Sequence, residues 1–375
     1  MNTNKLLMMV IATTLLFQVA VLSAEACTGI KLKADDGSIV TGRTMEFGLK
    51  APSAVTIVPR GSETTASGPN GKAGLKWKSS YATVGVSAWG QPKWYVEGLN
   101  EKGLSAGVFY MPGFGRYQTA KPGDESRSIS QNDFIYYVLS TSATVDEALK
   151  AIEKVVVVAT DADPAIITDP AMRAAMPFHM RIIDAGGRSV VIEYTARGVQ
   201  FYENPLGVIT NAPTFDWHLL NMRNYVNLKV ADAPPMEFNG QTISQFGMGS
   251  GLHGLPGDFT PPSRFIRAAI FTMNLVPGKT AIEAVGQAWH LLHLFDIPSG
   301  ISGSKVNGAM VYDTAQWTSV TDQKNLRFYF NNYDDYRVRM VDLKRADLNA
   351  EKPTTIPFGD TLGFIDVTGT GKPLR

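Results

Sequence analysis

The chain has 375 residues, with 35 Lys and Arg against 34 Asp and Glu, for a formal net charge of +1. A balance this close to zero argues against nucleic acid or an anionic membrane surface as the main partner. The 44% apolar and 18% charged residues describe a globular protein with a large core, and one cysteine permits no intrachain disulfide.

The N-terminus carries Lys5, an apolar run over 6–22, and then Ser23-Ala24-Glu25-Ala26-Cys27. Ala24 and Ala26 form the small-x-small pattern read by signal peptidase. The expected organisation is a Sec-type signal peptide over 1–26 and one domain over 27–375, in the periplasm or the medium of a bacterium. No membrane contact is expected after cleavage. Cutting behind Ala26 would leave Cys27 with a thiol and a free α-amine on one residue. A thiolate is a strong nucleophile, and an α-amine with a pKa near 8 can serve as its base. Two other readings of Cys27 stay open. It could be a lipid anchor, although Ala24-Glu25-Ala26 lacks the apolar residue expected three places upstream, or it could be an inert thiol.

After Cys27, strands are expected over 28–32 and 39–43, joined through Asp35-Asp36-Gly37 as a hairpin. The stretch 61–74, rich in Gly, Ser and Thr, reads as a surface loop, as does 111–124. Strands follow at 83–88, 94–99 and 104–109. A capping box, Thr144-Val145-Asp146-Glu147, opens a helix. Strands at 180–184 and 189–194 flank Ala185-Gly186-Gly187-Arg188, and 208–210 reads as a further strand. Helical spacing marks 215–225, 262–273 and 280–294. Strands at 318–321, 327–331 and 337–341 close the chain. Strand groups alternating with helix groups, with many hairpins, imply an α+β domain of antiparallel sheets covered by helices.

Longer motifs now become specific. Cys27-Thr28-Gly29-Ile30 is followed by Gly42-Arg43-Thr44-Met45-Glu46-Phe47. Further on stand Gly98-Leu99-Asn100-Glu101-Lys102-Gly103-Leu104, then 204–215, which contains Thr210-Asn211-Ala212-Pro213, then 254–265 with Ser263-Arg264-Phe265, and Gln316-Trp317-Thr318. Together these resemble the choloylglycine hydrolase family of bile salt hydrolases and penicillin V acylases, N-terminal-nucleophile hydrolases with a four-layer αββα sandwich. The resemblance spans nearly all of 27–375.

It implies that Cys27 attacks an amide carbonyl and that Arg43 stabilises the thiolate. Glu46 stands where the family carries an aspartate that orients the α-amine, so the carboxylate is one methylene longer here. Asn211 matches an oxyanion-hole asparagine, and Arg264 a second arginine beside the nucleophile. The second oxyanion donor would be the backbone N–H of Phe109 or Tyr110. Met45, Phe47, Trp89 and Met111 are expected to line the substrate pocket, and Trp94, Phe114 and Tyr117 add to an aromatic group nearby. The aromatic residue at 109 or 110 leans toward a penicillin V acylase-like pocket.

The implied reaction is hydrolysis of a linear amide with an apolar acyl group, through a thioester on Cys27. No metal or cofactor is called for. His290 and His293, one helical turn apart, lack a third ligand at a familiar spacing. The candidate substrates are penicillin V, N-acyl-homoserine lactones and conjugated bile salts. A secreted or lipid-anchored binding protein that keeps the fold without turnover is the alternative from another class. The long stretch 221–246 lies where the family carries an assembly loop, so a homotetramer is expected.

Overall fold

The computed structural model describes residues 26–306 and 308–370; the leader read over 1–26 lies outside the described residues except for Ala26. The N-terminal hairpin forms as the Asp-Gly signal requires. β1 (Cys27–Lys33) pairs antiparallel with β2 (Ile39–Phe47), and Gly37 takes φ 80° in the turn. The register sets Cys27 against Met45 and Gly29 against Arg43. The thiol thus sits level with the C-terminal end of β2.

Two antiparallel sheets stack face to face. One contains β3 (Ser53–Val58), β4 (Thr83–Ala88), β5 (Tyr95–Asn100), β6 (Ser105–Tyr110), β7 (Phe178–Ile183), β8 (Ser189–Thr195) and β9 (Gly198–Glu203). The other joins β1 and β2 to β10 (Thr314–Asp322), β11 (Arg327–Asn332) and β12 (Asp335–Asp342). Adding β13 (Thr354–Pro357), the larger sheet runs β9-β8-β7-β6-β5-β4-β3-β13 and the smaller β1-β2-β10-β11-β12.

α1 (Phe134–Thr141) lies on β5 and β6, and α2 (Val145–Ile152) packs beside it. A single turn, α3 (Pro170–Arg173), interrupts a long connection, and α4 (Phe215–Asn221) follows β9. On the opposite outer face, α5 (Pro261–Asn274) packs on β1 and α6 (Ala281–His293) on β2 and β10. The layers are helix, sheet, sheet, helix: the four-layer αββα sandwich.

Close approach of the sheets explains Gly29. A Cβ there would lie 2.6 Å from Arg181 Nη1, 2.7 Å from Phe109 Cζ and 2.8 Å from Ile209 Cγ2. The Thr144 cap forms as read, with Glu147 N donating to Thr144 Oγ1 at 3.2 Å, while the Glu147 carboxylate reaches one residue further back and accepts from Ala143 N at 2.8 Å.

Two expectations need correction, and one helix was missed. The stretch 61–74 is not simply a loop, because Glu63–Ser67 pairs with Ala73–Lys78 as a hairpin. The strand read at 208–210 reduces to one bridge, Gly29 to Ile209, since the chain must leave the sheet at once to present Asn211. α1 was not legible because its residues Phe134 to Ser140 are all buried, which erases the polar stripe that marks an amphipathic helix.

Candidate active site

Four distant segments converge on Cys27, which heads β1 and is 5% exposed. Its backbone nitrogen donates to Asn211 Oδ1 at 2.6 Å. Arg264, on the first turns of α5, donates Nη2 to the same oxygen at 2.8 Å and Nη1 to the Cys27 carbonyl at 2.5 Å and Thr28 Oγ1 at 2.9 Å. Asn211 Nδ2 in turn donates to the Tyr110 carbonyl at 2.9 Å. Cys27, Asn211, Arg264 and Tyr110 therefore form one hydrogen-bonded cluster. Asn211 does more than was expected of it: its oxygen receives the Cys27 nitrogen, and one of its two amide N–H bonds is already spent on Tyr110.

Arg43 reaches the cleft from β2. Its Nη1 donates to the Val108 carbonyl at 2.6 Å, and its guanidinium lies 4.3 Å from the Phe109 ring centroid and 5.1 Å from that of Trp317. Glu97 stands behind it, 3.8 Å from Arg43 Nη1 and 3.0 Å from Arg181 Nη2. All three charges are essentially buried. Gly107 makes room for the carboxylate, since a Cβ there would sit 1.9 Å from Glu97 Oε2.

Glu46 is fully buried, and among the described residues neither carboxylate oxygen meets a donor in hydrogen-bonding geometry. Burial pushes its carboxyl up to about 8, against the pull of Arg264, the nearby Thr44 hydroxyl and Arg43. The Glu46 backbone N–H donates to the Ala26 carbonyl at 2.8 Å. Burial also pushes the Cys27 thiol up; Arg43 and Arg264 pull it down, and Glu46 opposes them. Asp313, 2% exposed and close enough for Arg264 to favour its charge, is pushed up to about 6 by burial. No sequence signal marked Asp313 in advance.

Cys27, Arg43 and Glu46 line one cleft, which encloses about 910 Å³ with the open solvent at its mouth included. Met45, Phe47, Trp89 and Tyr110 line it, as does Trp94. Phe109 and Met111 do not. Successive strand residues face opposite ways, so Tyr110 toward the cleft sends its neighbours away. Phe109 is buried against Arg43 and Arg181, and Met111 is fully buried with its N–H on the Pro177 carbonyl. Phe114 and Tyr117 are also not among the lining residues.

The opposite wall was missed. It comes from the connection around α3, through Ile167, Met172, Arg173 and Met176, with Gln131 and Asn132 nearby. That connection is closed on itself by Ala162 N to the Arg173 carbonyl at 2.8 Å and Ala175 N to Asp161 Oδ1 at 2.9 Å. Its apolar residues have no regular period, so nothing in the sequence marked them. Among the described residues, no group of three or more His, Cys, Asp or Glu side chains is placed to hold a metal ion.

Comparison with known proteins matches residues 27–356 to the family described as linear amide C–N hydrolases, choloylglycine hydrolase family. The chain is 28% identical over 347 residues to a bile salt hydrolase/transferase of Clostridium perfringens, covering 91% of this chain and 99% of that protein. It is 27% identical over 359 residues to a penicillin V acylase of Pectobacterium atrosepticum, covering 90% and 86%. Among solved structures, a conjugated bile acid hydrolase variant from Clostridium perfringens superposes with TM-score 0.80 at 27% identity, over 91% of this chain and all of that one. The penicillin V acylase of Agrobacterium tumefaciens shares the fold, with TM-score 0.70 at 22% identity over 89% and 92%.

Proposed function

We propose that this chain, which belongs to the choloylglycine hydrolase family of linear amide C–N hydrolases, is an exported amidase that becomes active when cleavage behind Ala26 frees the Cys27 α-amine. The observation that carries this reading is the cluster at Cys27. Its nitrogen is already aimed at a neutral acceptor, Asn211 Oδ1, and its thiol, in an apolar cleft, is within the electrostatic reach of the Arg43 and Arg264 guanidiniums.

In this scheme the free amine takes the thiol proton, and Arg43 and Arg264 favour the resulting thiolate. The thiolate adds to the substrate carbonyl. The Tyr110 N–H and the second Asn211 N–H stabilise the oxyanion, a contribution worth about 2.7–4 kcal/mol per donor in comparable sites. The amine then protonates the leaving nitrogen, so the C–N bond breaks and a thioester remains. Water, deprotonated by the same amine, hydrolyses it. Glu46 supplies the negative partner for the ammonium form. Its buried carboxylate, which Arg264, the Thr44 hydroxyl and Arg43 favour in the charged form, fits a cation that arises only after cleavage.

The acyl group is apolar and aromatic, with penicillin V ahead and long-chain N-acyl-homoserine lactones beside it. Trp89, Trp94, Phe47 and Tyr110 in the cleft wall support that order. Conjugated bile salts are the second reading, favoured by the aliphatic wall of Ile167, Met172 and Met176. Identities of 28% and 27% to the two kinds of relative do not choose between them. A binding protein without turnover would keep Cys27 acylated or uncleaved. A homotetramer is also proposed, because Phe238, Phe246 and Met248 in the expected assembly stretch and just beyond it are exposed.

The test is amine release from penicillin V, glycocholate and a long-chain acyl-homoserine lactone by protein whose N-terminal peptide mass places Cys27 first. Fastest release from penicillin V supports the reading, and glycocholate alone replaces it with the second. No release, with thiol and amine both free, removes the proposed substrates. Light scattering at four chain masses supports the tetramer, and a monomer mass rejects it.

A further inference from the structure

Asn211 holds its place through more than its side chain. The carbonyls on either side of its Cα, those of Thr210 and Asn211 itself, each meet a buried imidazole. His179 Nε2 lies 2.9 Å from the Thr210 oxygen, and His218 Nε2 lies 2.9 Å from the Asn211 oxygen. A carbonyl only accepts, so both Nε2 atoms carry hydrogen. The two histidines come from different elements, β7 and α4.

Glu193 on β8 ties them together. Its Oε1 lies 3.0 Å from His179 Nδ1, and it accepts the Phe215 N–H, at the start of α4, at 2.8 Å. The path closes on itself: Glu193 to His179, to Thr210 and Asn211, to His218, along α4, and back to Glu193. His218 is further fixed by stacking on Phe265, with centroids 4.7 Å apart and planes at 15°. Phe265 adjoins Arg264, which shares Asn211 Oδ1 with the Cys27 nitrogen. Each of these residues is fully buried or nearly so. Buried polar rings of this kind favour one geometry, because any displacement leaves a donor or acceptor unpaired in a low dielectric.

We propose that His218, with the His179–Glu193 pair, is a positioning residue that fixes the backbone of Asn211 and thereby aims its side chain at the Cys27 nitrogen and the reacting carbonyl. It touches neither substrate nor thiol. The role rests on Asn211 acting in amide hydrolysis. His218 works as the neutral Nε2–H tautomer; its Nδ1 has no partner among the described residues, and burial pulls the imidazole down to about 4. A neutral donor is what the site holds at neutral pH.

The experiment compares His218→Phe and His218→Gln with wild type in steady-state amide hydrolysis, with active sites counted by Cys27 alkylation. Phe keeps the stack and loses the donor; Gln places an N–H near the position of Nε2 and loses the stack. The expected result is kcat per active site down about tenfold in His218→Phe with KM within about twofold, and largely restored in His218→Gln. Equal kcat in His218→Phe and wild type, or equal losses in both variants, would overturn the role. If His218→Phe fails to fold, His179→Gln, which can keep an N–H near Thr210, is compared with His179→Leu on the same criteria. Wild type turning over no amide is a different result, one that removes the substrate reading and leaves Cys27 alkylation rates to report on the cluster.

Discussion

At the scale of single residues, the site is a contest over charge in a dry place. Cys27, Glu46 and Arg264 are all buried, so each charge is sustained only by its neighbours. Cys27→Ala is expected to remove turnover while leaving the melting temperature unchanged, because one sulfur leaves a cleft-facing position. Residual activity above background in that variant would rule out the thioester route. Glu46 yields a pH prediction. In a chain that keeps Ala26, its folded pKa of about 8 lies above the ordinary 4.5. The folded state then holds the proton more tightly than the unfolded one. That contribution is complete below pH 4.5 and is lost as pH rises through 8. Urea stability of the Ala26-retaining chain should fall by a few kcal/mol between these limits, and Glu46→Gln should remove that slope. A slope unchanged by the substitution would mean that Glu46 does not titrate there.

At the scale of elements, the β1–β2 hairpin presents the nucleophile, and its closeness to the second sheet is what aims it. Gly29→Ala would force a Cβ among Arg181, Phe109 and Ile209. The expected cost is about 1–3 kcal/mol in chemical denaturation, with a loss of activity as β1 shifts. Wild-type stability would show that the sheets can part there without effect. The bulge in β10 acts on the other side of the cleft. Gln316 turns out of the ladder, and its side chain takes the Phe47 and Leu49 carbonyls at 3.0 and 2.6 Å and the Ala51 N–H at 3.1 Å. It thereby fixes the segment that carries the Phe47 wall. Gln316-Trp317-Thr318 was legible as a motif, whereas its bulge was not, since a bulge is a property of two strands in register.

At the scale of the whole molecule, the two sheets are tied by Arg43, Glu97 and Arg181, one residue from the smaller sheet and two from the larger. Among the described residues, Glu97 is the carboxylate paired with both guanidiniums. Glu97→Gln keeps the volume and strands two buried cations, so it should cost about 3–5 kcal/mol in urea unfolding. A change below about 1 kcal/mol would mean that water or the Phe109 ring already carries those charges.

The sequence by itself determined an α+β domain of antiparallel sheets and helices, because that rests on local patterns, and its longer motifs carried the resemblance that implied the family, the reaction class and the αββα layering. The Asp-Gly hairpin after Cys27 and the Thr144 capping box are readable along one strand of text, and Arg43, Asn211 and Arg264 are singled out by the motifs that carry the resemblance. Only the tertiary structure decided what those residues do to one another. It showed Asn211 accepting the Cys27 N–H, sent Phe109 and Met111 away from the cleft, and supplied one pocket wall from the patternless connection around α3. It also set Glu97, His179, Glu193, His218 and Asp313 behind the site. Their signals are single buried polar residues, and a buried polar side chain has no meaning until its partner, as far off in sequence as Arg181 is from Glu97, is brought beside it.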